Sequence, residues 1–208
     1  GIYPSGSDTM YHVYRGDYVY NAIKSGNWYP LYDPAWYNGV EILRYWSPFP
    51  AYVMAFCQYL AGGSQFGAYL FYIGGVCFLG ACVWPFIGRG FNRPYLGAFI
   101  GLLWFFMPNN LCAIFIEGNL ARSLSMIFLP VFIYSVYKYL YNHKLRYIPL
   151  MVFTFLLMEL CHLGYAGMVA IAVIIYGIVY IIQKGRKKAA LDVVISMIFG
   201  FMLLGIWL

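Results

Sequence analysis

The residues able to do chemistry fall in three short stretches separated by long apolar runs. The first holds Asp8, His12 and Arg15, the second Glu117, Asn119 and Arg122, and the third Glu159 and His162. Carboxylates can take a proton from a hydroxyl, and an arginine can grip a phosphate with two parallel hydrogen bonds. Ionisable groups at membrane depth are costly to keep and default to a functional reading, which bears most on Glu159, enclosed in Met158-Glu159-Leu160. Each residue also has an ordinary reading. Asp8 suits the start of a helix or a pair with His12. Arg15 suits an interfacial cation whose stem lies on apolar surface. Glu117 and Arg122 suit a hydrated loop pair around Gly118, and His162 suits an interfacial histidine. Asp17, Asp33, Glu41 and Arg44 read as loop charges.

The elements that must position these groups are set by composition. Of 208 residues 63% are hydrophobic and 10% charged, against roughly 25% charged in a soluble domain. Mean hydropathy is +0.70. Lipid must therefore solvate much of the chain. The 22 Tyr and 6 Trp suit membrane–water interfaces, where the ring is buried and the polar tip stays wet. The net charge of +6 lies in clusters between apolar runs, which is a topology signal and excludes a nucleic-acid stripe. Cys57, Cys77, Cys82, Cys112 and Cys161 form no CxxC pair, so neither a thiolate metal site nor a disulfide framework is expected.

Residues 1–47 are polar and aromatic. Ser7 is placed to cap a helix from about Asp8, with Gly26 as its stop. On that helix Asp8, His12, Arg15 and Val19 share one face. Tyr11, Tyr14, Tyr18 and Ala22 form a more apolar neighbouring stripe, which predicts a helix lying on a surface. Turn formers continue through Asn38-Gly39 to Pro48-Phe49-Pro50. Apolar runs then cover 51–61, 65–87, 95–111, 124–141, 147–162, 165–183 and 191–208. A span needs about 20 residues, so 51–61 is too short to cross. With it held at one surface, every basic link (Arg89 and Arg93; Lys138, Lys144 and Arg146; Lys184 to Lys188) faces the cytoplasm. Residues 1–63 and the 112–123 and 159–165 links then face the other side, bringing all three polar stretches to one surface.

The expected fold is an all-α integral membrane protein, a bundle of about six spans. Residues 1–63 form an extracytoplasmic first loop with an interfacial helix and a juxtamembrane helix, and residues 64–208 form the bundle. The start at Gly1 and the end at Ile206-Trp207-Leu208, inside an apolar run, predict a piece of a longer protein, truncated at the C-terminus. Sequence repeats are not evident, and no GxSxG, GxxxxGK[ST], HExxH or Rossmann fingerprint occurs.

Several stretches together carry a resemblance. They are Ser5-Gly6-Ser7-Asp8 with His12; Ile23-Lys24-Ser25-Gly26-Asn27-Trp28-Tyr29; Trp36-Tyr37-Asn38-Gly39; Tyr45-Trp46-Ser47-Pro48-Phe49-Pro50; and Glu117-Gly118-Asn119-Leu120-Ala121-Arg122 leading to Leu129-Pro130. The pattern resembles the N-terminal half of the GT-C superfamily of membrane glycosyltransferases. Within it, the pattern is most similar to bacterial membrane proteins labelled 6-pyruvoyl-tetrahydropterin synthase-related, although nothing in the chain looks like a pterin enzyme. The resemblance implies a sugar transfer from a polyprenyl-phosphate-linked donor to a glycan, lipid or protein acceptor at the extracytoplasmic face of a bacterial or archaeal plasma membrane. It also implies a further span before Gly1. By motif position Asp8 takes the role of base or metal ligand and Glu117 that of the acid in the second outer loop. His12, Arg15, Arg122, Glu159 and His162 would contact substrate. Neither loop holds a paired Asp-x-Asp, so a divalent metal (Mg or Mn), if one is used, would rest on Asp8 and Glu117. Trp28, Trp36 and Trp46 are candidates to stack on sugar faces. A transporter or flippase, or a non-catalytic envelope-assembly scaffold of the same fold, is the competing reading.

Overall fold

A computed structural model of the chain describes residues 3, 6–36, 38–205 and 207. Gly1, Ser5, Tyr37, Ile206 and Leu208, which enter the sequence readings, lie outside the described residues. The described residues are helical, with no β-strand among them and one isolated antiparallel bridge, Asp33–Val40. In order the helices are α1 (Thr9–Lys24), α2 (Phe49–Leu60), α3 (Gln65–Arg89), α4 (Pro94–Phe106), α5 (Pro108–Leu111), a π-helical turn (Cys112–Ile116), α6 (Leu120–Asn142), α7 (Tyr147–Cys161), α8 (Leu163–Lys184) and α9 (Lys187–Leu204).

Local chemistry places most of these boundaries. Pro48 and Pro50 open α2 and Pro94 opens α4, positions at which a missing N–H costs nothing. The Ser64 hydroxyl caps α3 by accepting from the Gly67 N–H at 3.1 Å. Gly185, at φ +68°, closes α8 in the left-handed conformation. Three helices, α3, α6 and α8, are long and apolar enough to cross a membrane. Four crossings result if α4 and the α5–π segment, bent by 49° at Met107, count as one broken span. The 95–111 run is thus not one straight helix. Met107 precedes Pro108, whose ring disfavours helical backbone at the residue before it. At 15 residues α7 is apolar but shorter, and α9 opens on Lys187 and Lys188 and carries Asp192. At 12 residues α2 is too short to cross.

By packing the chain divides into two compact units, residues 1–124 and 125–208. This division follows contacts within the chain and is drawn on different grounds from the 63/64 boundary expected from sequence. In the first unit α1 packs closely on α2. A Cβ on Gly16 would stand 2.2 Å from Met54 Cγ, so only glycine admits this crossing. Val19, Ile42, Leu43, Ala51 and Ala55 form the local core. Tyrosine hydroxyls tie the loop down: Tyr18 donates to the Tyr32 carbonyl and Tyr52 to the Trp28 carbonyl, both at 2.7 Å. Glycines bring α3 and α4 together, a Cβ on Gly97 falling 2.3 Å from the Trp84 carbonyl oxygen. In the second unit the core runs through Phe132, Met151, Phe155, Val173 and Val193.

Two of the residues read as loop charges are structural, and Asp17 lies within α1, not in a loop. Asp33 is buried, accepts from the Tyr14 hydroxyl at 2.5 Å and takes the Ala35 N–H at 2.9 Å. Asp17 accepts from the buried Gln58 side chain at 2.7 Å. Glu41 and Arg44 are an exposed loop pair at 3.0 Å. The hydrogen bond to Asp33, with burial and nearby carboxylates adding, pushes the Tyr14 phenol up to about 12. An unfolded tyrosine ionises near 10. The Tyr14–Asp33 pair therefore contributes fully below about pH 10 and is lost between about 10 and 12. We expect Tyr14→Phe to lower the denaturation midpoint below pH 10 and the gap to wild type to close by about pH 12. A gap constant through that range would refute the assignment.

Candidate functional site

The Glu117 loop is built by an unusual backbone. The π turn Cys112–Ile116 ends at Glu117, and Gly118 comes next at φ +66° before α6 begins at Leu120. Single π turns recur at functional sites, where the extra residue changes the direction in which the next side chains point. Onto this loop folds the chain's opening segment. The Asp8 N–H donates to the Glu117 carbonyl at 3.0 Å, and the Ser7 hydroxyl donates to the same oxygen at 2.9 Å. The backbones touch, since a Cβ on Gly118 would lie 2.2 Å from Thr9 Oγ1 and 3.0 Å from Gly6 Cα. Ser7 therefore serves the Glu117 loop. Asp8, not Ser7, is the N-cap residue of α1, and its side chain makes no capping hydrogen bond. The Asp8 side chain is exposed.

Glu117 and Arg122 form an ion pair at 2.8 Å, and the other arm of the guanidinium donates to Asn109 Oδ1 at 2.8 Å. The loop-pair reading of these two residues is thus correct as geometry. Cys112 Sγ lies 3.8 Å from the other Glu117 oxygen. The pairing compensates Glu117, while Asp8 has no cation partner among the described residues.

The face of α1 that carries His12, Arg15 and Val19 is the buried one. His12, Arg15 and Val19 are buried against α2 and the 42–47 loop, while Tyr11, Tyr14 and Tyr18 are only partly covered. Gly16 allows this by letting Met54 in beside Arg15. Arg15 is 1% exposed and so is no snorkelling surface cation. One arm of its guanidinium donates to the Trp46 carbonyl at 2.9 Å and to the Ser47 carbonyl at 3.3 Å. Its Cζ stands 5.5 Å from the centre of the Tyr11 ring. Among the described residues no carboxylate reaches Arg15, and its Nε and the Tyr11 hydroxyl are buried without hydrogen-bond partners. Desolvation lowers the Arg15 pKa from the usual arginine value, with Tyr11 and Tyr72 opposing. Burial pushes the Tyr11 phenol up to about 12. Tyr72 connects this buried group to the loop by donating to the Leu120 carbonyl at 2.8 Å. Tyr11 is also packed between Trp36 and Trp46, with ring centres 5.1 and 5.2 Å away. Trp28 is exposed.

The remaining two candidates belong to the second unit. Glu159 is buried in the last turn of α7. His162 caps α8, its Nδ1 accepting the Tyr165 N–H at 3.0 Å, so that nitrogen carries no proton in this arrangement. Capping by a histidine is not legible from composition, because serine, threonine, aspartate and asparagine are the usual caps. Among the described residues no three His, Cys, Asp or Glu side chains come together as a metal site. Asp8 and Glu117 alone fit a divalent ion poorly, because Arg122 already compensates Glu117.

A family model described as "6-pyruvoyl-tetrahydropterin synthase related domain; membrane protein" matches residues 43–208, well over half the chain. The chain belongs to this family. Membership in the pterin-synthase-related membrane family agrees with the apolar helices and fixes the bilayer as the chain's surroundings. The matched region contains Glu117, Arg122, Glu159 and His162, and it begins after Asp8, His12 and Arg15. No curated protein and no solved structure matches the chain.

Proposed function

We propose that this member of the pterin-synthase-related membrane family is a glycosyltransferase of GT-C type. It would move a sugar from a polyprenyl-phosphate-linked donor to an acceptor hydroxyl at the extracytoplasmic face. The observation that carries the reading is the joining of the Asp8 segment to the Glu117 loop, 109 positions away in sequence, by the backbone hydrogen bond from the Asp8 N–H to the Glu117 carbonyl. In this reading α7 and α9 complete about six crossings, and residues 1–63 lie outside the cytoplasm.

Asp8 takes the proton of the acceptor hydroxyl as the acceptor oxygen bonds to the anomeric carbon. The bond from that carbon to the phosphate oxygen breaks, and polyprenyl phosphate leaves with the electron pair. Arg122, set at the same loop by Glu117 and Asn109, offers positive charge to the phosphate. An apolar groove of about 690 Å³ between α2 and α3 runs past Phe56, Leu60, Phe71 and Gly74 with Tyr72 in its wall, and suits a prenyl chain. Tyr72 is the residue that reaches Leu120, three positions beyond Glu117.

The broken span of α4 with the α5–π segment favours a second reading, a transporter or flippase, because such proteins build sites on discontinuous helices. One experiment separates the two. Full-length protein in sealed vesicles is given labelled polyprenyl-phosphate sugars and a mixed acceptor fraction. The expected result is label covalently joined to acceptor, with Arg122→Met raising the donor KM about tenfold or more. Label that crosses the membrane still on its lipid supports the transporter. Neither outcome would leave a scaffold.

A further inference from the structure

In the second unit α6, α8 and α9 enclose an apolar cleft of about 380 Å³ that none of the proposed chemistry uses. Its walls include Val136 and Leu140 of α6, Val173 and Gly177 of α8, and Leu191 and Val194 of α9. Lys187 and Lys188 also line it, at the end where α8 finishes and α9 starts. A second, separate apolar hollow of about 310 Å³ shares Val136 and Val173 in its walls, with Ile133 and Ala172. At 1.5 Å per residue, the first cleft runs about 12 Å along α8 from Val173 to Ile181. Gly177 keeps it open, since a Cβ there would meet only Ala190 Cβ, at 3.8 Å.

The charge at its mouth is one-sided. Arg186 contacts His143, which draws the link holding Lys144 and Arg146 toward the one holding Lys184, Arg186, Lys187 and Lys188. Two acids occur in residues 125–208. Asp192 accepts from the Tyr139 hydroxyl at 2.5 Å, and Glu159 lies in the last turn of α7, remote from that end. Among the described residues no carboxylate pairs with Lys187 or Lys188. Lysines flanking a flat apolar helix need no ligand, being ordinary interfacial anchors. Here they line a concave apolar groove, where Lys187, Lys188 and Arg186 outnumber the one nearby acid, Asp192 of α9, and that shape with surplus positive charge at one end matches an amphiphile with an anionic head.

We infer that this groove is a binding site for an anionic phospholipid, an acyl chain lying along α8 and the phosphate resting on Lys187 and Lys188. Basic pockets between spans are a known solution for such headgroups. The inference is independent of the glycosyltransferase reading.

Native mass spectrometry of the full-length protein in detergent tests it, with dioleoyl phosphatidylglycerol and dioleoyl phosphatidylcholine as probes. The expected result is about tenfold stronger retention of phosphatidylglycerol, each lysine contributing a several-fold share. The double variant Lys187→Ala, Lys188→Ala should bring it down to the phosphatidylcholine level. Both positions are exposed, so the fold should survive, and Lys24→Ala, an exposed lysine of the first unit, serves as a control. Gly177→Leu should lower retention of both lipids by filling the groove. Equal retention by the wild type, an undiminished preference in the double lysine variant, displacement by inorganic phosphate, or a protein dimer in place of the lipid adduct would each overturn the inference.

Discussion

Asp8→Asn should reduce sugar transfer by the full-length protein by about two to four orders of magnitude, the usual contribution of a positioned general base. The substitution is nearly isosteric and spares everything in which Asp8 takes part structurally. Its N–H still donates to the Glu117 carbonyl, and its carbonyl still accepts from the His12 N–H at 3.1 Å. The carboxylate itself caps nothing and is exposed, so an amide there strands no buried group. Folding and donor binding should therefore be preserved, and the loss should appear in kcat with KM for the lipid donor little changed. Asp8→Glu should recover part of the activity, because it restores a base displaced by one methylene, and misplacement on that scale costs up to about a hundredfold. Glu41→Gln, an exposed pair on the same loop, should change the rate less than twofold. Wild-type turnover by Asp8→Asn would remove Asp8 from the mechanism.

Apolar run length and glycine–proline punctuation place most of the helices. The run read as 65–87 is α3, Gln65–Arg89, and the run read as 147–162 is α7, Tyr147–Cys161. Ser64, Pro94 and Gly185 mark ends in ways that depend only on local backbone chemistry. The break at Met107 was also written locally, in Pro108, but an unbroken apolar run outweighed it. The inward face of α1 could not be read the same way. Helical period separates His12, Arg15 and Val19 from the tyrosines, yet which face turns inward depends on Gly16 admitting Met54, 38 residues away. The same holds for Asp33, whose burial depends on a tyrosine from α1. A charge looks solvated until the partner that removes it from water is known. The Asp8–Glu117 union has the same long-range origin. Charge distribution could put both acids on one surface, but their contact needs the small residues Gly6 and Gly118 to meet.

That meeting point carries the largest structural effect expected of a single methyl group. Gly118 sits at φ +66°, where an L side chain costs about 1 kcal/mol before any contact is counted. Its Cβ would then stand 2.2 Å from Thr9 Oγ1, 2.7 Å from the Thr9 amide nitrogen and 3.0 Å from Gly6 Cα. The hydroxyl can turn away, but the two backbone atoms cannot, so the 6–9 segment must lift off the loop. Lifting it breaks the bonds from the Asp8 N–H and the Ser7 hydroxyl to the Glu117 carbonyl, worth about 0.5–1.5 kcal/mol each. Gly118→Ala should therefore destabilise the first unit by about 2–4 kcal/mol, read as a lowered denaturant midpoint and faster proteolysis near residues 6–9. Sugar transfer should fall about a hundredfold or more even under conditions where the variant remains folded, since the Asp8 segment is no longer held on the Glu117 loop. Adding Thr9→Ala tests the cause. It removes the 2.2 Å contact and leaves those to the Thr9 nitrogen and Gly6, so rescue should be slight. Full rescue by Thr9→Ala would mean that the hydroxyl alone held the two segments apart. An unchanged Gly118→Ala protein would show that the contact between the Asp8 segment and the Glu117 loop is not what organises this site.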